Sequence, residues 1–193
     1  MNTTKIALEA SLKELLKKKP FDKITIADLT EDCGISRMAF YYHFKDIYDL
    51  VEWACVEDGK KALRDKKTYD TWQEGFAQIF EAVLENKPFI MNVYRNVDRE
   101  RMERYLYHLT YDLIVGVVQE KSKDLDISGE DKKFIANFYK YGFVGIMLEW
   151  IQEGMKADIE ELVNKMSLTL HNTVTTSIHN FQKNSEECYS EIG

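Results

Sequence analysis

The stretch TIADLTEDCGISRMAFYYHFK, residues 25–45, constrains the fold more tightly than any other part of the chain. Thr25 followed by Asp28 three positions on has the pattern of a capping box. Ile26, Leu29 and Cys33 then recur at helical spacing and give one apolar face. Gly34 takes positive φ without steric cost, so it ends that helix. Ile35 is placed to bury the turn, and Ser36 is a good N-cap for a second helix. In that second helix Phe40 and Phe44 share the inner side, while Arg37, Met38 and Tyr41 share the other. Two short helices joined by a tight turn, the second presenting hydrogen-bonding and stacking side chains, form a helix-turn-helix suited to a DNA major groove.

The longer run ITIADLTEDCGISRMAFYYHFKDIYDL resembles the N-terminal DNA-binding domain of TetR/AcrR-family transcriptional regulators. The likeness rests on an apolar-Thr-apolar-x-x-apolar pattern at residues 24–29, Gly-Ile-Ser at 34–36 and Phe-Tyr-x-His-Phe-Lys at 40–45. It covers roughly residues 4–52. It implies an all-α protein with a three-helix DNA-binding domain and a helical C-terminal domain for ligand binding and dimerisation. It also implies a homodimer on a palindromic double-stranded operator, controlled by a small molecule or a partner protein. Repression is the common family mode and the sign expected here, with activation of a metabolic operon together with a partner protein as the alternative. The runs FKDIYDL and GFVGIMLEWIQEGMK more faintly resemble a branch that includes regulators of dihydroxyacetone kinase operons, where activation through a partner protein occurs. One departure stands out: many members carry a phosphate-gripping lysine two residues after Phe-Lys, and here that position is Ile47. The contact then falls to Lys45 and to Lys17, Lys18, Lys19 and Lys23 near the end of the first helix.

A net charge of -7 runs against bulk electrostatic attraction to DNA. Residues 1–55 hold 8 Lys+Arg and 9 Asp+Glu, so even this part is not basic overall. What matters is the local field at the docking face. Arg37 and Lys45 accompany the second helix, and Glu9, Glu14, Asp46 and Glu52 are free to face elsewhere. The acidic remainder disfavours loose electrostatic binding and suits specific binding. Two prolines and nine glycines leave little room for turn-rich β architecture. With 45% apolar and 31% charged residues, the composition is that of a globular protein. The N-terminus is amphipathic and contains acids, unlike a signal peptide, and no apolar run approaches the ~18 residues of a spanning helix. Cys33, Cys55 and Cys188 are scattered, which argues against a disulfide framework and fits a reducing cytosol. The expected location is the cytoplasm, with no membrane partner.

Periodicity predicts about nine helices and no sheet. The first spans about residues 4–18, with Ile6, Leu8, Leu12, Leu15 and Leu16 as its stripe. Pro20 ends it, and Phe21 packs under the motif. Asp46, with Asp49, caps a fourth helix that reaches about residue 64. The polar segment 65–70 reads as a boundary, giving a DNA-binding domain at 1–52, an effector and dimerisation domain at 53–185, and a flexible tail at 186–193. Further starts fall at Thr71, Pro88, Asp98, Ser128 with Asp131, and Asp158 with Glu161. Gly154 stops the helix that begins after Ser128, and the last helix carries Ile159 through Ile178.

Arg37 is the strongest candidate for base contact, because first-turn side chains of a recognition helix reach base edges and Arg binds guanine bidentately. Its plainer role is a phosphate contact. Met38 can touch a thymine methyl or fill space, and Tyr41 lies one turn on. Tyr42 and His43 suit backbone positioning, although His43 can also pack against the first helix. Thr25 and Ser36 are caps first and phosphate ligands second. In the C-terminal part Trp72, Phe76, Phe80, Tyr94, Tyr105, His108, Tyr111, Phe134, Phe138 and Tyr141 are candidates to line an effector pocket, against the alternative of an ordinary core. Gly142, Gly145, Met147, Leu148 and Trp150 on one helix, with Met166, Leu170 and Val174 on the next, suit a four-helix dimer interface, against burial within one chain.

Enzyme readings find little support. His43, His108, His171 and His179 form no HExxH, and there is no Gly-rich phosphate loop, G-x-S-x-G or CxxC pair. No metal or cofactor is expected. A helical dimeric binding protein or enzyme without DNA activity is the competing class, and the exposed SRMAFYYH helix argues against it.

Overall fold

The computed structural model describes residues 3–63, 71–96, 99–170 and 172–190, with the side chains of 62–63, 109 and 184–190 outside the description. Among the described residues the chain is all-helical. Helix α1 (Thr3–Leu16) leads through a 3-10 turn (Phe21–Lys23) to α2 (Ile26–Asp32), α3 (Arg37–His43) and α4 (Ile47–Leu63). There follow α5 (Trp72–Glu85), α6 (Lys87–Asn96), α7 (Arg99–Lys121), α8 (Gly129–Gln152), α9 (Ile159–Leu170) and α10 (Thr173–Ser190). The segment 65–70, Asp98 and His171 lie outside the described residues.

The expected helix from Asp158 to Ile178 divides in two, so ten α-helices rather than about nine are present among the described residues. Asn172, at φ 58°, turns the chain between α9 and α10; Asn tolerates this left-handed region better than most residues. The Thr173 hydroxyl donates to the Leu170 carbonyl at 3.0 Å across the break.

Leu8, Leu12 and Leu16 form the buried line of α1. Ile6, expected in that stripe, is 42% exposed, because two helical residues rotate a side chain by about 200° away from Leu8. Glu9, one of the acids free to face away from the docking side, is buried within the chain. It holds Lys13 Nζ at 2.7 Å, and Lys13 reaches Asp58 of α4 at 2.6 Å. Burial pulls the Lys13 ammonium pKa down, but the bonds from Asp58 and Glu9 outweigh this and leave it raised.

The core runs unbroken from the N-terminal helices into the C-terminal ones. Around α5 and α8 it is built of rings. Phe76 stacks on Phe143 with centroids 3.8 Å apart, Trp72 meets both edge-on, and Phe80 meets Trp150 edge-on at 5.0 Å. Such pairs add to area burial. Helix α8 ends at Gly154, φ 81°, where only glycine is unstrained.

The N-terminal helices are seated on the rest by polar clamps. The Phe21 amide donates to Asn92 Oδ1 of α6 at 3.0 Å, and Tyr105 of α7 donates its hydroxyl to the Tyr48 carbonyl at 3.2 Å. Arg101 lies over the Tyr48 ring at 4.3 Å.

Candidate nucleic-acid interface

The local code of the motif forms as written. The Asp28 amide donates to Thr25 Oγ1 at 3.2 Å, and the Thr25 amide donates to Asp28 Oδ2 at 2.7 Å, which closes the capping box. Lys19 Nζ sits 2.7 Å from the same carboxylate. That hydrogen bond, then those from Thr25, bring the Asp28 pKa down to about 2. Gly34 at φ 64° turns the chain, and the Ile35 amide closes onto the Thr30 carbonyl at 2.9 Å. Ser36 Oγ accepts from the Ala39 amide at 3.1 Å and starts α3.

These caps present α3 with one wet face and one dry one. Phe40 and Phe44 are buried, and Phe44 packs on Trp53 of α4 at 5.9 Å. On the far side Met38 is 78% exposed, Tyr41 55% and Tyr42 85%, with Arg37 exposed beside them. His43 is half-buried, edge-on to Tyr42 at 4.9 Å. Lys45 is exposed just past the helix, and its amide donates to Asp49 Oδ2 at 2.9 Å. Asp46 caps α4 through the Asp49 amide at 2.8 Å. Ile47 is half-buried against the core, so the position where many relatives carry a lysine is here a packing residue.

Three of the four lysines expected to compensate already face acids: Lys17 with Glu14, Lys19 with Asp28 and Lys23 with Asp22. The Lys17 and Lys23 pairs are exposed, and such pairs are weak and easily exchanged for a phosphate, whereas Lys19 is half-buried and holds Asp28. Lys5 stands over the Phe44 and Trp53 rings at 4.9 and 5.5 Å. Its place on this side of the motif was not legible, because α1 shows no register signal relative to α3.

The C-terminal candidates do not converge on one pocket. Phe76, Phe80 and Tyr105 are buried core, and the Tyr105 hydroxyl is taken up by Tyr48. His108 is exposed, with Nδ1 3.2 Å from Glu52 of α4. Tyr94 is half-buried on α6, and Tyr111 lies with its ring 5.4 Å from Lys140 Nζ. Trp72 and Phe76 do line a cavity of about 50 Å³, together with Gln73, Tyr139, Phe143 and Ser167. Among these, Gln73, Tyr139, Phe143 and Ser167 escaped the sequence reading, since nothing in their spacing sets them apart from surface or core positions.

The dimer candidates also separate. Leu148 and Met166 are buried within the chain at 7% and 4% exposure. Leu148 lines a depression together with Tyr94 and Arg99. Leu170 and Val174 are half-buried, and Gly145 is exposed. The open apolar surface of α8 lies instead at Phe134, Phe138 and Tyr141, 62%, 66% and 56% exposed, with Gly142 and Gly145 continuing the same face. Beside it an apolar groove of about 820 Å³ runs between α8 and α9.

Among the described residues no helix is long and apolar enough to cross a membrane, and no cluster of metal-ligating side chains occurs. A helix-turn-helix with an exposed second helix, carried on an all-helical C-terminal domain, defines a DNA-binding regulator. Residues 8–54 match the model for bacterial regulatory proteins of the tetR family, and residues 70–172 match that for a transcriptional regulator C-terminal region. The chain belongs to the TetR family of transcriptional regulators, whose members bind DNA as dimers. It is 25% identical, over 79% of its length and 81% of the relative's, to the HTH-type dhaKLM operon transcriptional activator DhaS of Lactococcus lactis subsp. lactis (strain IL1403). Among solved structures it is similar to the dihydroxyacetone kinase operon activator DhaS, with TM-score 0.64, 21% identity and coverage of 93% and 98% of the two chains. A TetR transcriptional regulator from Streptococcus agalactiae 2603V superposes with TM-score 0.56 at 21% identity, over 87% and 93%. These relatives are regulators rather than enzymes.

Proposed function

We propose that the protein is a homodimeric, cytoplasmic transcription activator of a metabolic operon. It would bind a palindromic operator with one α3 helix in the major groove of each half-site. The observation that carries the DNA-binding part is the two-faced α3: Phe40 and Phe44 anchor it, and Arg37, Met38, Tyr41 and Tyr42 stand free of the core. Arg37 is assigned to base contact, Met38 and Tyr41 to flanking contacts, and Thr25, Ser36, Tyr42, His43 and Lys45 to the phosphates. Activation is favoured over the commoner repression by the likeness to an operon activator across four-fifths of the chain.

The exposed α8 face, Phe134 to Gly145, is assigned to the dimer in place of Leu148 and Met166, because side chains already buried in one subunit cannot meet another. A small molecule or a partner protein acting on the C-terminal domain would reset the separation of the two heads, which must match one DNA turn of ~34–36 Å. The test is to sequence genomic fragments retained by the purified protein and place the recovered site ahead of a reporter. Loss of reporter output on deleting the gene supports activation, and a rise supports repression. Recovery of no enriched, two-fold symmetric site would sink the reading.

A further inference from the structure

The cavity of about 50 Å³ lies where α5, α7, α8, α9 and α10 meet, and its chemistry narrows what it can hold. Among the described residues no charged side chain lines it. Phe76 and Phe143 form a stacked wall, and Leu113, Ile114, Leu170 and Val174 complete an apolar surface. Polar atoms enter at few places. Gln73 Nε2 donates to Ser167 Oγ at 3.4 Å, and the Tyr139 hydroxyl lies 3.0 Å from Ser177 Oγ. A single water needs about 10–15 Å³ of such space, so the cavity has room for roughly three to five non-hydrogen atoms.

Its surroundings add two facts. Gln73 and Ser167 also line an outer depression that carries Glu74, Glu81, Asp158, Glu160 and Glu161. The bond between them thus forms part of the wall dividing the cavity from an acidic surface, which repels anions on approach. On the opposite side Tyr139, Phe143 and Leu170 also line the α8–α9 groove. An occupant of the cavity therefore bears on side chains whose other surfaces shape that groove. A cationic occupant would be desolvated without a carboxylate to meet it, since the described lining residues offer none.

We infer that this cavity is a binding site for a small uncharged oxygen-bearing molecule, of the short-chain alcohol or ketone class. Gln73 and Ser167 serve as its hydrogen-bonding pair, and its carbon part lies against the Phe76–Phe143 wall. The site would be the effector site of the regulator; this regulatory role rests on the function proposed above, whereas binding itself does not.

The experiment uses the full chain with methyl-labelled Leu, Ile and Val and four probes of equal size: propan-2-ol, acetone, acetate and isopropylammonium. Propan-2-ol and acetone should give saturable NMR shifts confined to the methyls of Leu113, Ile114, Val117, Leu170 and Val174. For four-atom ligands the dissociation constants should fall between about 0.05 and 10 mM. Acetate and isopropylammonium should give none. Gln73→Leu should weaken propan-2-ol by about two- to tenfold, the loss of one neutral hydrogen bond. Val174→Phe should abolish the shifts by filling the cavity; if it does not fold, Ser167→Leu fills the opposite wall. Equal binding of the charged probes, no saturable shift up to 100 mM in folded protein, or shifts that survive a folded filling variant would each overturn the site. Operator affinity is measured in the same samples. Binding that leaves operator affinity unmoved would keep the site and remove its regulatory role.

Discussion

The N-terminal head and the C-terminal body are built on opposite length scales. In the head, structure is decided within a few residues: Thr25 with Asp28, Ser36 with Ala39, Asp46 with Asp49, and Gly34 alone at the turn. In the body the deciding contacts span most of the domain, such as Phe76 on Phe143, Phe80 on Trp150 and Gln73 with Ser167. Caps of the first kind belong to a short-range code with few solutions. Packing of the second kind is shape complementarity, which many apolar sequences satisfy. The difference explains why the exposed face of α3 can be read residue by residue in the head, while the body reveals only that it has a core.

The largest effect that would sharpen this contrast is expected on α8. Phe138→Asp puts a charge on an exposed face, so the protomer should stay folded yet lose self-association. Operator affinity should then fall about 1,000-fold or more, since one half-site alone approaches non-specific binding. Light scattering and gel shift would check both. Persistence of a tight dimer would return the interface to other helices. Leu148→Asp should behave differently, unfolding the body, because that side chain is buried in the subunit.

Next is Phe40→Ala, which removes the wholly buried anchor of α3. A loss of about 3–5 kcal/mol is expected, confined to the head if head and body are separable and spread over both if the shared core couples them. Urea unfolding followed separately by hydrogen exchange in α3 and α8 distinguishes these outcomes.

Arg37→Ala should cost ~1–3 kcal/mol on the recovered operator and relax one position per half-site. Lys45→Ala should weaken all sequences alike and reduce the salt dependence by about one unit per subunit. Unchanged binding by both would remove α3 from the groove.

The smallest effect concerns acid. Asp28 is held down to about 2 against an ordinary 3.8 by Lys19 and Thr25. Its contribution is therefore complete above the unfolded value and fades as pH falls from about 4 toward 2. Asp28→Asn should flatten the pH dependence of the α2 unfolding signal in that window. An equally steep dependence in the variant would assign it to other carboxylates.

The departures follow the same division. Ile6 on α1 lies outside the buried line because a helix with apolar residues on several sides does not reveal which line meets α2 and α4. The break at Asn172 went unseen, since asparagine costs little in either conformation. His108, grouped with the aromatic candidates, faces outward to Glu52 because α7 turns its other side to the core.

Sequence alone determined the class of the fold, the caps and turn of the helix-turn-helix, and the residues that face outward from α3. Local backbone chemistry and a helical period suffice for these. Only the tertiary structure decided that Leu148 and Met166 are core while Phe134, Phe138 and Tyr141 stand open. The same holds for the cavity formed by Gln73, Tyr139 and Ser167. The reason is physical: periodicity says that a side chain is apolar and on a face, but which face is covered depends on helices that arrive from far along the chain, as Gln73 with Ser167, 94 residues apart, shows.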